Sequence, residues 1–220
     1  MNSQNSILST KKLTDLEKEL VINAGIGYVE YNAIEIELLD IVMQREVQNA
    51  IFTSKNAVRV IEKLALKIEH CFCVGENTKK QLEDKGYTVK EVAKNALDLG
   101  QIISKKYQKE QFLFFCGNLR RNELPTILSE NNIDFTEKIV YKTHIKPRKF
   151  DRIFEGVLLF SPSGVQSYVS ENNLKESIAF CIGNTTANEA RKYATNVIVA
   201  NKPTVTNVIV QAVKCFDKRI

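Results

Sequence analysis

The sequence is poor in the residues that interrupt a chain or give it a specialised backbone. Its 220 residues include nine glycines, four prolines, two histidines and no tryptophan. So little glycine and proline excludes collagen-like and low-complexity chains. With 44% hydrophobic and 26% charged residues, the chain has the composition of a globular protein that buries a core, in one large domain or two small ones.

Long hydrophobic runs are also missing. No uncharged apolar run approaches the ~18 residues that a membrane-spanning helix needs. Residues 1–10 are polar and lack the basic-then-apolar order of a signal peptide, so we expect a cytoplasmic protein with no membrane partner. The formal net charge of +5 is small and its residues are dispersed. It favours an acidic small molecule as the partner rather than nucleic acid.

The cysteines and histidines do not form a metal site or a nucleophilic site. Five cysteines are an odd number in a chain without an export signal, and we interpret all five as reduced and structural. Cys71 and Cys73 are separated by one residue, whereas zinc ligands leave two or more between them. Two histidines make a metal site or a Ser-His-Asp triad improbable, so we predict neither. The cysteines within apolar runs are Cys71, Cys73, Cys116 and Cys181.

Short apolar runs alternate with amphipathic helical patterns along most of the chain. This alternation is typical of βα units, in which a parallel sheet is covered by helices on both faces. The runs that we predict to be strands lie at residues 7–8, 50–52, 71–74, 112–116, 157–160, 178–182 and 196–199.

Two stretches have a different pattern, at residues 33–38 and 135–145, where apolar and polar residues alternate. A period of two with one polar face predicts antiparallel strands, and the acidic charges of the first complement the basic charges of the second. We expect them to pair as a hinge. The fold class is then α/β, with two similar flavodoxin-like parallel-sheet domains. Domain 1 would comprise residues 1–31 and 147–220, the inserted domain 2 residues 39–134, and the hinge strands residues 32–38 and 135–146.

An internal repeat supports two related domains. Residues 51–58 match residues 158–165, and a glycine follows each serine of the match at a similar distance: 21 residues from Ser54 to Gly75 and 22 from Ser161 to Gly183. Each glycine opens a strand-to-helix turn. The spacing of a threonine and an acidic or amide residue behind each glycine predicts capping boxes, at Thr78 with Gln81 and at Thr186 with Glu189.

The strand-to-helix turns are rich in Ser, Thr, Asn and Gly. Open α/β sheets bind ligands at the carboxyl ends of their strands, and helix N-termini suit phosphate or carboxylate. Each of these residues also has an ordinary role as a helix cap or turn former. The turns contain no pair of carboxylates, no histidine base, no P-loop and no GxGxxG motif. An enzyme built this way would act through hydrogen bonds, backbone dipoles and shape.

Seven segments resemble the uroporphyrinogen-III synthase family in their order and spacing. They are residues 52–58 (FTSKNAV), 74–78 (VGENT), 116–121 (CGNLRR), 124–125 (LP), 140–143 (VYKT), 160–164 (FSPSG) and 182–186 (IGNTT). The resemblance implies two α/β domains joined by a two-stranded linker. It also implies a cyclising hydro-lyase of tetrapyrrole (haem) biosynthesis that closes hydroxymethylbilane to uroporphyrinogen III, with loss of water and inversion of ring D through a spiro intermediate, and that uses no cofactor.

The resemblance also assigns candidate residues. Tyr141 matches the position of a hydroxyl that would assist departure of the leaving oxygen, although it could equally be a tyrosine that packs in the hinge. Arg121 could pair with a substrate carboxylate or be a solvated helix charge. The remaining substrate-binding candidates are hydroxyls and one amide, at Thr53, Ser54, Thr78, Asn118, Ser161, Ser163, Thr185 and Thr186.

Two other functions fit the same pattern. A hinged α/β protein could bind an anionic metabolite without catalysis, and an enzyme acting on phosphorylated sugars would share the fold but would normally supply an acid–base pair or metal ligands. Isomer production distinguishes the synthase from the binding module. We expect a monomer, and a transient contact with the preceding pathway enzyme stays open.

Overall fold

The computed structural model describes residues 5–216. Over that range the chain forms strands and helices in near-strict alternation, and none of these helices is long and apolar enough to cross a bilayer. The elements in chain order are β1 (Ser6–Ser9), α1 (Asp15–Asn23), β2 (Gly27–Glu30), β3 (Ile34–Leu38), β4 (Glu46–Phe52), α2 (Lys55–Leu64), β5 (Lys67–Val74), α3 (Glu76–Glu83), β6 (Val89–Ala93), α4 (Ala96–Lys106), β7 (Gln111–Gly117), α5 (Glu123–Glu130), β8 (Asp134–Ile145), β9 (Gly156–Leu159), α6 (Pro162–Val169), β10 (Ile178–Cys181), α7 (Asn184–Ala190), β11 (Asn196–Val199) and α8 (Val205–Phe216).

The chain divides into two compact units. Unit 1 comprises Met1–Glu35 and His144–Ile220, and unit 2 comprises Ile36–Thr143. Both dividing points fall inside the strands predicted as a hinge. The fold class is confirmed as α/β with parallel sheets.

Unit 1 contains a five-stranded parallel sheet in the order β2-β1-β9-β10-β11. Successive residues of its strands are buried on opposite faces: Leu8 packs under α6 and α7, whereas Ile7 packs under α1 and α8. Near-continuous apolar strands are required here because both faces of a parallel sheet are covered. The order is that of a flavodoxin-like sheet.

Unit 2 has the parallel order β6-β5-β4-β7-β8, with β3 added at the edge beside β8. Phe52 and Phe115 pack on the face covered by α2 and α3, and their rings stack with centroids 5.3 Å apart. Phe72 and Phe114 pack on the opposite face, which α4 and α5 cover. The core of this unit therefore also lies in two layers.

The two sheets have the same spatial arrangement but different chain order. In the repeat, β4, β5 and β6 correspond to β9, β10 and β11, and this leaves β7 and β8 at the places of β1 and β2. Unit 1 begins with its β1–α1–β2 portion, and unit 2 ends with the equivalent β7–α5–β8 portion. The two units are therefore related by a circular permutation. The match between residues 51–58 and residues 158–165 did not indicate this.

Each predicted apolar run overlaps a strand, although the runs at 157–160 and 178–182 extend one residue beyond β9 and β10, and three points differ from the sequence analysis. β2 was not predicted, because Gly27–Glu30 is a short, half-buried strand without a clear period. The antiparallel pairing was predicted between β8 and β3, and the parallel pairing of β8 with β7 was not predicted. The predicted capping boxes are also wrong, because α3 and α7 begin after Gly75 and Gly183, which places Thr78 and Thr186 in the first helical turn rather than at the cap.

β3 and β8 are hydrogen-bonded neighbours. The Leu39 N–H donates to the Val140 carbonyl at 3.0 Å, and the Lys146 N–H donates to the Ala33 carbonyl at 2.8 Å. Residue 33 is thus bonded to residue 146, and residue 39 to residue 140. Because the residue numbers rise along one strand as they fall along the other, the two strands are antiparallel. Complementary charges meet where Lys146 Nζ lies 2.7 Å from Glu35 Oε2 and lowers the pKa of that exposed carboxyl.

Candidate active site

In unit 2, the turns after β4 and β5 present helix N-termini of two kinds. Ser54 caps α2, and its hydroxyl accepts a hydrogen bond from the Asn56 N–H at 3.2 Å. Gly75 precedes α3 with a φ of 84°, a left-handed conformation that favours glycine, and no side chain caps this helix. The first-turn N–H groups of α3 are therefore left without a side-chain acceptor, as an anion site requires.

Unit 1 repeats this pair of turns. The Ser161 hydroxyl caps α6 by accepting from the Gly164 N–H at 3.0 Å, and Ser163 Oγ lies 3.5 Å from Ser161 Oγ. Gly183 precedes α7, which again has no side-chain cap. The two units thus share one capped and one uncapped helix at neighbouring strand ends.

The predicted threonines differ in exposure. Thr78 and Thr186 are 5% and 3% exposed, because the third residue of each helix turns toward the sheet. Thr53 is half-buried and Thr185 is exposed. Contact of any of the four with substrate stays a prediction.

Tyr141 lies on β8 directly beside the end of β7. The pairing shifts between Cys116 and Gly117, so that Cys116 faces Ile139 but Gly117 faces Tyr141. This bulge places both Val140 and Tyr141 against the core layer under α2 and α3. Burial raises the pKa of the Tyr141 hydroxyl, and the Ser54 hydroxyl offsets part of that rise. Tyr141 is thus neutral at physiological pH and able to donate a proton.

The turn after β7 holds two residues that the sequence motif predicted and one that it did not. The Asn118 side-chain oxygen accepts from the Thr143 N–H at 2.7 Å, and Arg121 is exposed. Arg120, which was not predicted, donates from Nε and Nη2 to Glu137 Oε2 at 2.8 and 2.6 Å. Its charge is therefore already neutralised. The CGNLRR segment did not indicate that Arg120 binds Glu137.

Groups of metal ligands, the cysteines and the surface cavities provide weaker evidence for a functional site than these turns do. No group of three His, Cys, Asp or Glu residues within 5–216 is placed to hold a metal ion. The five cysteines are free, and all but Cys215 are buried, as predicted.

Two surface cavities lie at the amino ends of the strands. One is lined by residues such as Asn173 and Tyr193, and the other by residues such as Glu46 and Lys67. Neither contains a predicted site residue, and α/β sheets bind ligands at the opposite ends.

Comparison with known proteins identifies the family of the chain. The family model of uroporphyrinogen-III synthase HemD matches residues 16–209. The chain belongs to the uroporphyrinogen-III synthase family. This confirms the resemblance on which the candidate residues were chosen.

Individual relatives of this family are distant in sequence. The porphyrin biosynthesis protein HemD of Ruminiclostridium josui is 25% identical over 189 residues, and the match covers 75% of this chain but 37% of that longer protein. The uroporphyrinogen-III synthetase of Helicobacter pylori is 21% identical, with 96% of this chain and 100% of the other covered and a TM-score of 0.68. A mutant uroporphyrinogen III synthase of Thermus thermophilus is 12% identical, with 98% and 100% covered and a TM-score of 0.74. These structural likenesses show the fold.

Proposed function

We propose that this chain is a uroporphyrinogen-III synthase that closes hydroxymethylbilane to uroporphyrinogen III. The observation that carries the proposal is the family match over residues 16–209, which includes nearly all the strand-to-helix turns of both units. The reaction releases water and is that of a hydro-lyase in tetrapyrrole biosynthesis. We further propose that the chain acts as a monomer, and that β3 and β8 are the hinge between domains with the boundaries predicted above.

The first step needs a proton donor at the leaving oxygen. A pyrrole nitrogen pushes electrons toward the hydroxymethyl carbon and the C–O bond breaks. The oxygen takes a proton and leaves as water, and the pyrrole N–H gives up its proton. The Tyr141 hydroxyl stays protonated, because burial raises its pKa, and it can donate a hydrogen bond to the leaving oxygen, with Ser54 next to it. The product of this step is an electrophilic azafulvene.

The later steps need orientation more than acid–base chemistry. The substituted carbon of the last ring must attack the azafulvene to form a spiro intermediate, which fragments and closes again with the ring inverted. Without the enzyme, the free end carbon reacts and gives the type I isomer. Holding the ring in the productive orientation is therefore the main task of the protein.

Carboxylates on the substrate provide the means of holding it. The uncapped N-termini of α3 and α7 and the hydroxyls of Thr53 and Thr185 are donors that match carboxylate groups. We propose Arg121, Ser161 and Ser163 as further contacts, together with Thr78 and Thr186 if their helices shift. None of these groups needs a metal or cofactor to act.

The test is product analysis. The protein is supplied with hydroxymethylbilane formed in place by the preceding enzyme, and the oxidised isomers are separated by chromatography. Mostly type III product is expected. Type I product at the spontaneous rate would overturn the proposal and favour the module that binds an anionic metabolite, which equilibrium binding of a stable linear tetrapyrrole would then detect.

A further inference from the structure

The end of β7 is shaped around the ring of Tyr141. A Cβ atom added to Gly117 would lie 2.4 Å from Tyr141 Cζ, 2.5 Å from Cε2 and 2.8 Å from the hydroxyl oxygen. Real Cβ atoms do not approach other atoms so closely, so any side chain at position 117 must displace the ring. The backbone of Gly117 is therefore the surface on which the hydroxyl end of the tyrosine rests.

The residue after this glycine fixes the strand that carries the tyrosine. The Asn118 N–H donates to the Tyr141 carbonyl at 3.2 Å, and the Asn118 side-chain oxygen accepts from the Thr143 N–H at 2.7 Å. One residue thus binds β8 on both sides of Lys142. The two bonds follow directly on the bulge between Cys116 and Gly117, where the ladder is otherwise irregular.

These contacts also limit what Asn118 can do for a ligand. Its side-chain oxygen is already occupied by the Thr143 N–H, and this bond holds the backbone next to Tyr141. A residue that supports the reacting group by hydrogen bonds and shape affects the rate without touching substrate.

We infer that Gly117 and Asn118 are positioning residues for Tyr141: Gly117 supplies the space for its ring, and Asn118 fixes the strand segment 141–143. The catalytic consequence rests on the proposed function, but the geometric one does not. Gly117 was absent from the residues predicted by sequence, and Asn118 was predicted as a substrate contact.

The geometric part is tested by NMR of the full chain labelled with carbon-13 at tyrosine Cζ. The chain has seven tyrosines, and the Tyr141 signal is assigned by its loss in Tyr141→Phe. Gly117→Ala and Asn118→Ala should each shift this signal and bring the pKa of Tyr141 closer to the ordinary tyrosine value, because the ring moves toward solvent. Gly27→Ala is the matched control, since a Cβ there meets only ordinary contacts at 3.8 Å. An unchanged Tyr141 signal in Gly117→Ala would overturn the inference.

The catalytic part is tested by a double-mutant cycle. Gly117→Ala should lower kcat about 10-fold, as expected for a misplaced hydrogen-bond donor, with a smaller change in KM. In the Tyr141→Phe background the same change should lower kcat no further, because the hydroxyl is already gone. Multiplied effects in the double variant would show that Gly117 acts elsewhere and would overturn its role.

Asn118 offers a second, independent discrimination. Asn118→Asp keeps an acceptor for the Thr143 N–H, so it should retain the wild-type Tyr141 signal and most of kcat, whereas Asn118→Ala should lose both. A substrate contact predicts the reverse order, since a carboxylate at 118 would repel the acidic substrate and raise KM. If the wild type formed no type III product while the NMR shifts appeared as expected, the proposed function would fail and the positioning would stand.

Discussion

The two units place a tyrosine at equivalent strand ends and use it differently. Tyr31 follows β2 in unit 1, and its N–H donates to the Ser9 carbonyl at the end of β1. Tyr141 lies on β8 in unit 2, beside the end of β7. Both rings pack on the equivalent face of their sheets, under α6 and α7 in one case and under α2 and α3 in the other.

The surroundings of the two rings differ in polarity and access. Tyr31 is 6% exposed, lies edge-on to Phe150 with ring centroids 5.3 Å apart, and has a buried hydroxyl without a hydrogen-bond partner. Burial raises its pKa, and the neighbouring Ser167 hydroxyl offsets part of the rise without reaching hydrogen-bonding distance. Tyr141 is only half-buried and rests on the backbone of Gly117.

The residue at the end of the neighbouring strand, β7 in unit 2 and β1 in unit 1, explains this difference. Unit 2 has Gly117 there, which leaves room for a ring, whereas unit 1 has Ser9 followed by Thr10, whose hydroxyl donates to the Leu158 carbonyl at 2.7 Å. In unit 1 the end of β1 is therefore covered by the buried Thr10 side chain. In unit 2 Gly117 has no side chain, which leaves room for the Tyr141 ring at the end of β7. The same sheet position thus holds a fully packed tyrosine in unit 1 and a half-buried tyrosine in unit 2.

The largest expected effect is a loss of folding stability at alkaline pH. The three buried thiols of unit 2 contribute more to this loss than the one buried thiol of unit 1. Burial raises the pKa of Cys71 to about 12 and of Cys73 and Cys116 to about 11 in unit 2, and of Cys181 to about 12 in unit 1. These thiols stay protonated in the folded chain but lose their protons near pH 9 when it unfolds. Stability is therefore complete below pH 9 and falls between pH 9 and 12.

Urea unfolding followed by circular dichroism from pH 8 to 11 measures this slope. Each such thiol contributes up to about 1.4 kcal/mol per pH unit. Replacing the three thiols of unit 2 by alanine should flatten the slope more than Cys181→Ala does. Equal flattening by the two variants would contradict the assignment of most of the alkaline sensitivity to unit 2.

The next effect separates the two tyrosines by stability. Tyr31→Ala should lower the free energy of unfolding by about 3–4 kcal/mol, because it empties a buried ring site. Tyr141→Ala should cost roughly half as much, since part of its ring already faces solvent. Urea unfolding at pH 7 compares the two variants directly, and a larger loss for Tyr141→Ala would reverse the roles assigned to the rings.

A third effect separates them by activity. Tyr141→Phe should lower kcat about 10-fold, equivalent to ~1.4 kcal/mol, because it removes the proposed donor and leaves the ring. Tyr31→Phe should leave kcat and the fraction of type III product unchanged. Initial rates with both variants provide the comparison, and a Tyr141→Phe protein at full rate would remove the donor role.

The sequence predicted the order of the elements better than their arrangement in space. Apolar runs with helical patterns between them located the buried strands, because a parallel sheet covered on both faces requires them. The circular permutation was not predictable in this way, since the matched residues run only from β4 to the end of β5 and from β9 to the end of β10, and they do not include β7, β8, β1 and β2. Relating these last strands requires the pairing of residues far apart in the chain.

The candidate site was predictable only in part, and for a similar reason. The serines before α2 and α6 were recognisable as turn residues, and they cap these helices as their residue type favours. Tyr141 was chosen by family resemblance alone. The space over Gly117 depends on a bulge between two strands, and the predicted capping boxes failed because a glycine three residues earlier begins each helix.

The smallest expected effect tests whether the Tyr31 hydroxyl is only a cost to unit 1. A buried hydroxyl without a partner loses its hydration and gains nothing in return, so Tyr31→Phe should leave stability unchanged or raise it by up to about 1 kcal/mol. Ser167→Ala, which removes the neighbouring unpartnered hydroxyl, should behave in the same way. Urea unfolding at pH 7 measures both variants. If either variant instead lost more than about 1 kcal/mol, the two hydroxyls would be joined by a buried water, and the edge of unit 1 would be a polar site like that of unit 2.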